Sequence, residues 1–394
     1  MRIVFNILET LKPRTGIGQY AARLSAALAR HIPAGELHVF PDGVLAGVVS
    51  RLQRTPTGAP ASRRGASRWW ANVRSAAARA AKRAARSGLG VLFRRAVRRN
   101  QYDLYHEPNF IPFDCDIPTI VTIHDLSVVL YPEWHPADRV RMYERQFASG
   151  LERAAHILTD TEFLRRQIVQ HLGVPRQRVT AVPLGVGAEF GQATADDVAA
   201  VRRRYDLPER YLLFVGTIEP RKNLTMLLRA YCDLPAALRD ACPLVLAGSW
   251  GWKSESVAQI YLAEARSKGV RCLGYTPDES LPALYAGARA LVYPSLYEGF
   301  GLPPVEMLAC GGAVISSTAD VLREVLGGVG HFLDANDRTG WRNAMSRAIT
   351  DDSWLEMLRR GGRQRAAHFT WERCAIGTAA VYESLTQPAL RRAA

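Results

Sequence analysis

Apolar strands alternate with helical stretches through one full series, and then the series begins again. That pattern predicts an α/β protein of two doubly wound parallel sheets with a cleft between them. The first series runs from Arg2 to about Pro183 and the second from Tyr211 to about Ser316. A chain of 394 residues is long enough for two domains, each with its own core. At 48% hydrophobic and 22% charged, the composition is that of an ordinary soluble protein. No apolar run approaches the roughly 18 residues of a membrane span, and Met1-Arg2-Ile3-Val4-Phe5 reads as a strand, not a signal peptide. The six cysteines, at 115, 232, 242, 272, 310 and 374, include no CxxC pair, so no disulfide framework or zinc site is indicated. A cytosolic protein is expected.

In chain order, Arg2 to Leu8 reads as a buried strand, and an apolar-periodic helix through Arg30 follows the stretch Lys12 to Tyr20. Gly16-x-Gly18-x-x-Ala21 has the form of a dinucleotide fingerprint, but seven residues, Pro13 among them, separate Gly16 from Leu8. The fingerprint requires its glycines directly after the strand, and Glu36 precedes the next strand (Leu37–Phe40) where an acidic residue should end it. A loop approaching a different phosphate, or a plain turn, is the better reading.

The net charge of +14 is local: Arg51 to Arg99 holds fourteen Lys or Arg and no Asp or Glu, and the remainder balances at 37 of each sign. Arg54 to Gly65 reads as a flexible loop. From Arg68 to about Arg86, Trp69, Val73, Ala76, Ala80 and Ala84 recur at helical spacing, with Arg79, Lys82, Arg83 and Arg86 elsewhere around the helix. A basic helix with tryptophans at one end fits an anionic membrane surface; a solvated insertion is the bland alternative. Nucleic acid ranks last, because no aromatic platform accompanies the arginines.

Asp103–His106 and Pro118–Ile123 are strand-like, the second running into His124-Asp125-Leu126-Ser127 at a strand's carboxyl end, where open α/β sheets place ligands. Ala155–Asp160 and Val179–Pro183 complete the first half, and Gly185 to Ala199 reads as a linker. The second half has strands at Tyr211–Thr217, Pro243–Gly248, Val270–Tyr275, Ala290–Tyr293 and Ala313–Ser316. Arg221 and Lys222 follow the first of these, and a fixed guanidinium beside a mobile ammonium suits a diphosphate. After the fourth strand come Glu298, Gly299 and Gly301, then a helix containing Glu306. Glycines before a helix N-terminus present open N–H groups to an anion or a polar sugar, and the two carboxylates can accept from hydroxyls. The pattern reads as a sugar-nucleotide site.

Those segments resemble glycosyltransferase family 4, the retaining nucleotide-sugar transferases of the GT-B fold, along nearly the whole chain. The resemblance rests on TGIGQY (15–20), VTIHDLS (121–127), VGTIEPRKN (215–223), LGYTPDESLPALYAGA (273–288) and YEGFGLPPVE (297–306). It implies an N-terminal domain of residues 1–190 plus 372–394, carrying the basic insertion at about 51–99, and a C-terminal donor-binding domain of 191–371. Arg221 and Lys222 would hold the donor diphosphate, Glu298 the donor sugar's hydroxyls and Glu306 the ribose. His124 would lie near the anomeric centre, and the loop of Gly16 and Gly18 near the phosphates. Thr217, Gly299, Phe300, Gly301 and Leu302 would complete the cradle, with Tyr275 at the base.

The resemblance is to bacterial members that build surface polysaccharides, often mannosyltransferases. GDP-mannose is therefore the expected donor, with UDP-sugars next, and the expected acceptor is a saccharide linked to a polyprenyl diphosphate. The protein is expected at the inner face of the cytoplasmic membrane as a peripheral protein. No metal or other cofactor is expected, since Arg and Lys can replace a Mg²⁺ clamp. Glu298 and Glu306 are not the facing carboxyl pair of a glycosidase. A nucleotide-sugar epimerase or phosphorylase on the same fold is the alternative.

Overall fold

The computed structural model of the chain describes residues 1–11, 16–53 and 68–386, and their side chains except at 44, 48, 51–53 and 68–83. The expected loop Arg54–Gly65, Thr15, and the side chains of Trp69 through Arg83 in the basic helix lie outside the described residues.

The first series of strands is β1 (Ile3–Asn6), β2 (Leu37–Phe40), β3 (Leu104–Glu107), β4 (Thr119–Ile123), β5 (Ala154–Thr159) and β6 (Val179–Ala181). The second is β7 (Leu212–Val215), β8 (Leu244–Ala247), β9 (Arg271–Gly274), β10 (Ala290–Tyr293), β11 (Ala313–Ser317) and β12 (His331–Leu333). They form two six-stranded sheets, ordered β2-β1-β3-β4-β5-β6 and β12-β11-β10-β7-β8-β9. In the second sheet every neighbouring pair is parallel. Strands β7, β8, β10 and β11 are buried along their whole length, as strands covered on both faces must be.

Each sheet grows outward on one side of its first strand and then crosses to the other side. In the second sheet the order reverses between β7 and β10, which pair at Ala290↔Leu212 and Leu291↔Leu213. Ligands of open α/β sheets bind outside the carboxyl ends of the strands at such a reversal. The loops leaving β7 and β10 carry Arg221-Lys222 and Glu298, so topology alone brings the two expected motifs together.

The chain divides into two compact units, Met1–Ile123 with Gln146–Leu158 and Ala375–Ala394, and His124–Arg145 with Thr159–Cys374. This division differs from the expected boundaries, 1–190 plus 372–394 and 191–371, because 124–145 and 159–190 go with the second unit. Their packing explains it. The amide of Leu126 donates to the Tyr297 hydroxyl at 3.2 Å. The amides of Glu162 and Phe163 donate to the Glu324 carboxylate at 2.8 and 2.7 Å. The expected linker is likewise packed: Val186 bridges Thr370, and residues 195–204 form a helix with a capping box at Thr194.

The basic segment also departs from expectation. Its helix runs from Arg68 to Asn100, and its last turns are not an appendage. Phe93 and Val97 are buried against Val4, Phe40, Tyr102, Tyr105 and Phe113 in the core of the first unit. Several arginines near its end are occupied: Arg94 and Arg98 pair with Asp114 and Asp116 at 3.6 and 3.5 Å, and Arg86 donates to the Ile111 carbonyl and lies over Phe113. The closing helix, Trp371–Thr386, is capped by Thr370, whose hydroxyl accepts from the Arg373 amide at 3.2 Å.

Candidate functional site

After β7 the chain makes a short 3-10 turn, Pro220–Lys222, in which proline presets the backbone. Asn223 follows in the left-handed region at φ 55°, an excursion asparagine tolerates, and its side-chain amide donates to the Ala335 carbonyl at 2.7 Å. The turn aims two cations at the loop after β10. The Arg221 guanidinium reaches Glu298 Oε2 at 2.5 Å and Glu219 Oε1 at 2.8 Å. It also donates to the Tyr297 carbonyl at 3.2 Å. The Lys222 ammonium contacts Glu298 Oε1 and donates to the Tyr293 hydroxyl at 2.8 Å. Tyr293 in turn donates to the same Glu298 oxygen at 2.9 Å.

Both oxygens of Glu298 are therefore engaged by cations. Burial alone would raise its pKa, but Arg221 and Lys222 outweigh that effect and hold it at about 2. Burial pushes the Glu219 carboxyl up, against the pull of Arg221 and Lys222. Burial would also raise Asp125, and Arg221 with two Ser127 hydrogen bonds brings it below the ordinary value. The cation pair is held in place by carboxylates before any ligand arrives, which is preorganisation for a second anion on the same charges.

The glycines have different reasons to be there. A Cβ on Gly299 would overlap the carbonyl oxygen of His124, so the β10 loop can pass His124 only without a side chain. The carbonyl of Gly299 accepts from the Thr161 hydroxyl at 3.2 Å. Gly301 sits at φ 89°, a left-handed backbone that turns the chain into the helix Leu302–Ala309. Phe300 is buried edge-on against Phe369, which fixes the loop from below.

Within the second unit the structure thus gathers Arg221, Lys222, Glu298, Gly299, Phe300, Gly301 and Leu302 beyond the ends of β7 and β10, with His124 against Gly299. His124 Nδ1 lies 2.8 Å from Oδ2 of Asp160, a buried carboxylate at the end of the neighbouring strand β5. Glu306 projects from the same helix and accepts from the Tyr285 hydroxyl at 2.7 Å. Thr217 and Tyr275 are exposed at the ends of β7 and β9. Gly16 and Gly18 open the helix Gly16–His31 in the other unit, and no described residue lies within 4 Å of where a Gly16 side chain would stand.

Sequence reasoning passed over Asp160, Glu219 and Tyr293. All three stand at or just beyond the carboxyl ends of strands that were themselves identified, so the signal was present in their position. It also passed over His135, whose Nε2 lies 3.0 Å from the Ser127 hydroxyl across a turn that no periodicity reveals.

Two family models match the chain: glycosyl transferases group 1 over residues 200–365, and glycosyltransferase family 4 over residues 14–190. The O-antigen chain mannosyltransferase B of Escherichia coli is 38% identical over 292 residues, covering 74% of this chain and 76% of that protein. Among solved structures, the sucrose-phosphate synthase from Thermosynechococcus elongatus superposes with a TM-score of 0.69 at 20% identity, covering 98% of this chain and 99% of that one. WaaG, a glycosyltransferase involved in lipopolysaccharide biosynthesis, superposes at 0.65 with 14% identity, covering 96% and 99%. At these identities the superpositions speak to the fold.

Proposed function

The chain belongs to the GT-B glycosyltransferases of group 1 and family 4, and on that premise we propose that it is a retaining mannosyltransferase. It would move mannose from GDP-mannose to a saccharide carried on a polyprenyl diphosphate, during assembly of a surface polysaccharide. The observation that carries the reading is the Arg221–Lys222 pair, preset by Glu298 at the point where the second sheet reverses. Mannose is favoured by the 38% identical relative, whose own name is that of an O-antigen mannosyltransferase. The same relative favours transfer over the epimerase or phosphorylase alternative.

In this reading Arg221 and Lys222 hold the donor diphosphate and stabilise the charge that grows as it departs. Amides at the start of the helix Leu302–Ala309, with Gly299 and Gly301 beside them, approach the phosphates and sugar. Glu298 orients the cations and takes a sugar hydroxyl, Glu306 takes the ribose, Tyr275 meets the base, and Thr217 and the Gly16–Gly18 turn line the donor. His124, oriented by Asp160, stands near the anomeric carbon. The bond from that carbon to the diphosphate oxygen breaks, the bond to the acceptor oxygen forms on the same face, and the acceptor's proton passes to the leaving diphosphate. No metal is required in this scheme; activity undiminished by EDTA is the expected result.

The membrane contact is proposed for the basic segment about 51–99, of which Val91 and Leu92 are exposed on the described helix. Binding to anionic vesicles and not to neutral ones, weakened by salt, tests it, and equal binding to both sinks it. Nucleic acid is not proposed as a partner.

The donor is tested by thermal stabilisation with a panel of nucleotide sugars. GDP-mannose at one hundred times its Kd should stabilise the fold by about 2.7 kcal/mol through mass action. The shift should vanish in Glu298→Ala. If no nucleotide sugar shifts the wild type, the donor assignment fails. NMR of the new linkage then reads the stereochemistry, and an inverted product removes the same-face mechanism.

A further inference from the structure

Three aromatic rings are linked in a series that begins in the Glu298 loop. Tyr131 stacks on Trp134 with ring centroids 4.2 Å apart and planes 15° apart. Tyr131 also lies 5.5 Å from Tyr297, the residue before Glu298. Tyr297 is buried, while Tyr131 and Trp134 are partly exposed.

The turn that carries them, Pro132–Trp134, is tied down from several directions. The Tyr131 amide donates to the Ser127 carbonyl at 2.9 Å, and the Trp134 amide to the Tyr131 carbonyl at 3.0 Å. The Trp252 indole donates to the Trp134 carbonyl at 3.0 Å, and the Lys253 ammonium to the Glu133 carbonyl at 2.5 Å. The buried His135 ring lies 3.0 Å from the Ser127 hydroxyl, which donates to Asp125 at 2.6 Å. These bonds hold the backbone that carries Trp134, and stacking on Tyr131 holds its ring, which lowers the freedom the ring loses on binding.

We propose that Trp134, backed by Tyr131, is the platform for the acceptor saccharide. A pyranose has an apolar C–H face and a rim of hydroxyls. An immobilised indole matches the face, and the exposed Glu133 and Lys253 beside it match the rim. The position favours a sugar over other flat or apolar ligands, because Tyr131 packs on the residue next to Glu298, which the donor-sugar reading already uses. The proposal rests on the transferase reading and names where its acceptor sits.

The probe is α-1,2-mannobiose, observed by saturation-transfer NMR in the presence of GDP, with the GDP-mannose melting shift recorded in parallel. The wild type should saturate the C–H protons of the disaccharide. Trp134→Leu should weaken binding about tenfold, while Trp134→Phe, which keeps an aromatic face, should lose much less. The GDP-mannose shift should be unchanged in both variants. Absence of saturation in the wild type overturns the proposal, as does equal saturation in Trp134→Leu. A loss of the donor shift in Trp134→Leu also overturns it, since the ring would then serve the donor or the fold. The mannobiose signal is read whether or not GDP-mannose binds, so failure of the donor assignment is seen separately.

Discussion

Glu298 and Arg221 form a buried pair, Oε2 to Nη1 at 2.5 Å, while the other Glu298 oxygen serves Lys222. The three side chains are only 6%, 17% and 7% exposed in the order Glu298, Arg221, Lys222. Removing the shared anion leaves Lys222 buried without its carboxylate and Arg221 with Glu219 as its remaining partner. Glu298→Gln keeps the shape and removes the charge, and should destabilise the protein by about 3–5 kcal/mol in urea unfolding. An unchanged urea midpoint would show that the cations are solvated after all. The acid limb gives a second reading. The folded-state pKa of Glu298 is lowered from 4.5 to about 2, so its stabilisation is present above pH 4.5 and is lost as pH falls toward 2. Wild type should lose stability in that window more steeply than the glutamine variant.

Gly299 and Gly16 should separate sharply on substitution by alanine. At Gly299 a methyl meets the His124 carbonyl, a backbone atom and not the far end of a flexible side chain. At Gly16 nothing among the described residues lies within 4 Å. Gly299→Ala should lower the melting temperature and abolish the nucleotide-sugar shift, whereas Gly16→Ala should fold as the wild type does. If Gly16→Ala also keeps full transfer activity, close approach of that turn to the phosphates is not needed. A fully active, fully stable Gly299→Ala would contradict the packing described above.

Much of the site could be read before the fold because its signals are local. A strand, a short loop bearing Arg221-Lys222 or Glu298, and a helix follow one another in sequence, and the parallel topology makes their ends adjacent. What could not be read is who neutralises whom. Sequence suggested Glu298 as a hydroxyl ligand, yet its two oxygens are engaged by cations 77 and 76 residues away. Asp160 meets His124 across 36 residues, and nothing in either strand's pattern announces the pair. The basic segment was legible in charge and not in packing: Phe93 and Val97 look like any apolar helix positions until Phe40, Tyr105 and Phe113 arrive from distant strands and loops.

A second buried carboxylate, in the first unit, titrates in the opposite sense. Glu107 ends β3, and its Oε2 accepts from Asn6 and Tyr105, each at 2.6 Å. Burial dominates here and raises its pKa from 4.5 to about 7, against the pull of the Tyr105 hydrogen bond and Arg86. A raised carboxyl stabilises the fold fully below pH 4.5, and that contribution is lost as pH rises toward 7. Glu107→Gln accepts the same two hydrogen bonds through its carbonyl and carries no charge to bury. It should therefore be more stable than wild type at pH 8, by at most about 3 kcal/mol, and should match it near pH 4. Equal urea midpoints at pH 8 would show that the charged form is accommodated without cost.

His135 supplies a further pH test, within the turn that holds Trp134. It is 3% exposed, its Nε2 meets the Ser127 hydroxyl, and its Nδ1 has no hydrogen-bond partner among the described residues. Burial lowers its pKa from 6.5 to about 4, helped by Arg139, Arg221 and Lys253 and opposed by Asp125. A histidine held neutral in the folded state contributes stability above pH 6.5, and that contribution is lost as pH falls from 6.5 to 4. His135→Gln can keep the Ser127 hydrogen bond without acquiring a proton. The wild-type melting temperature should therefore fall more steeply than the variant's between those limits, and the two curves should run parallel above pH 7. If protonation opens the turn, tryptophan fluorescence of the wild type should change over the same interval as the indole of Trp252 leaves the Trp134 carbonyl. Parallel curves throughout would mean that the imidazolium is tolerated beside Arg139 and that the turn does not depend on a neutral ring.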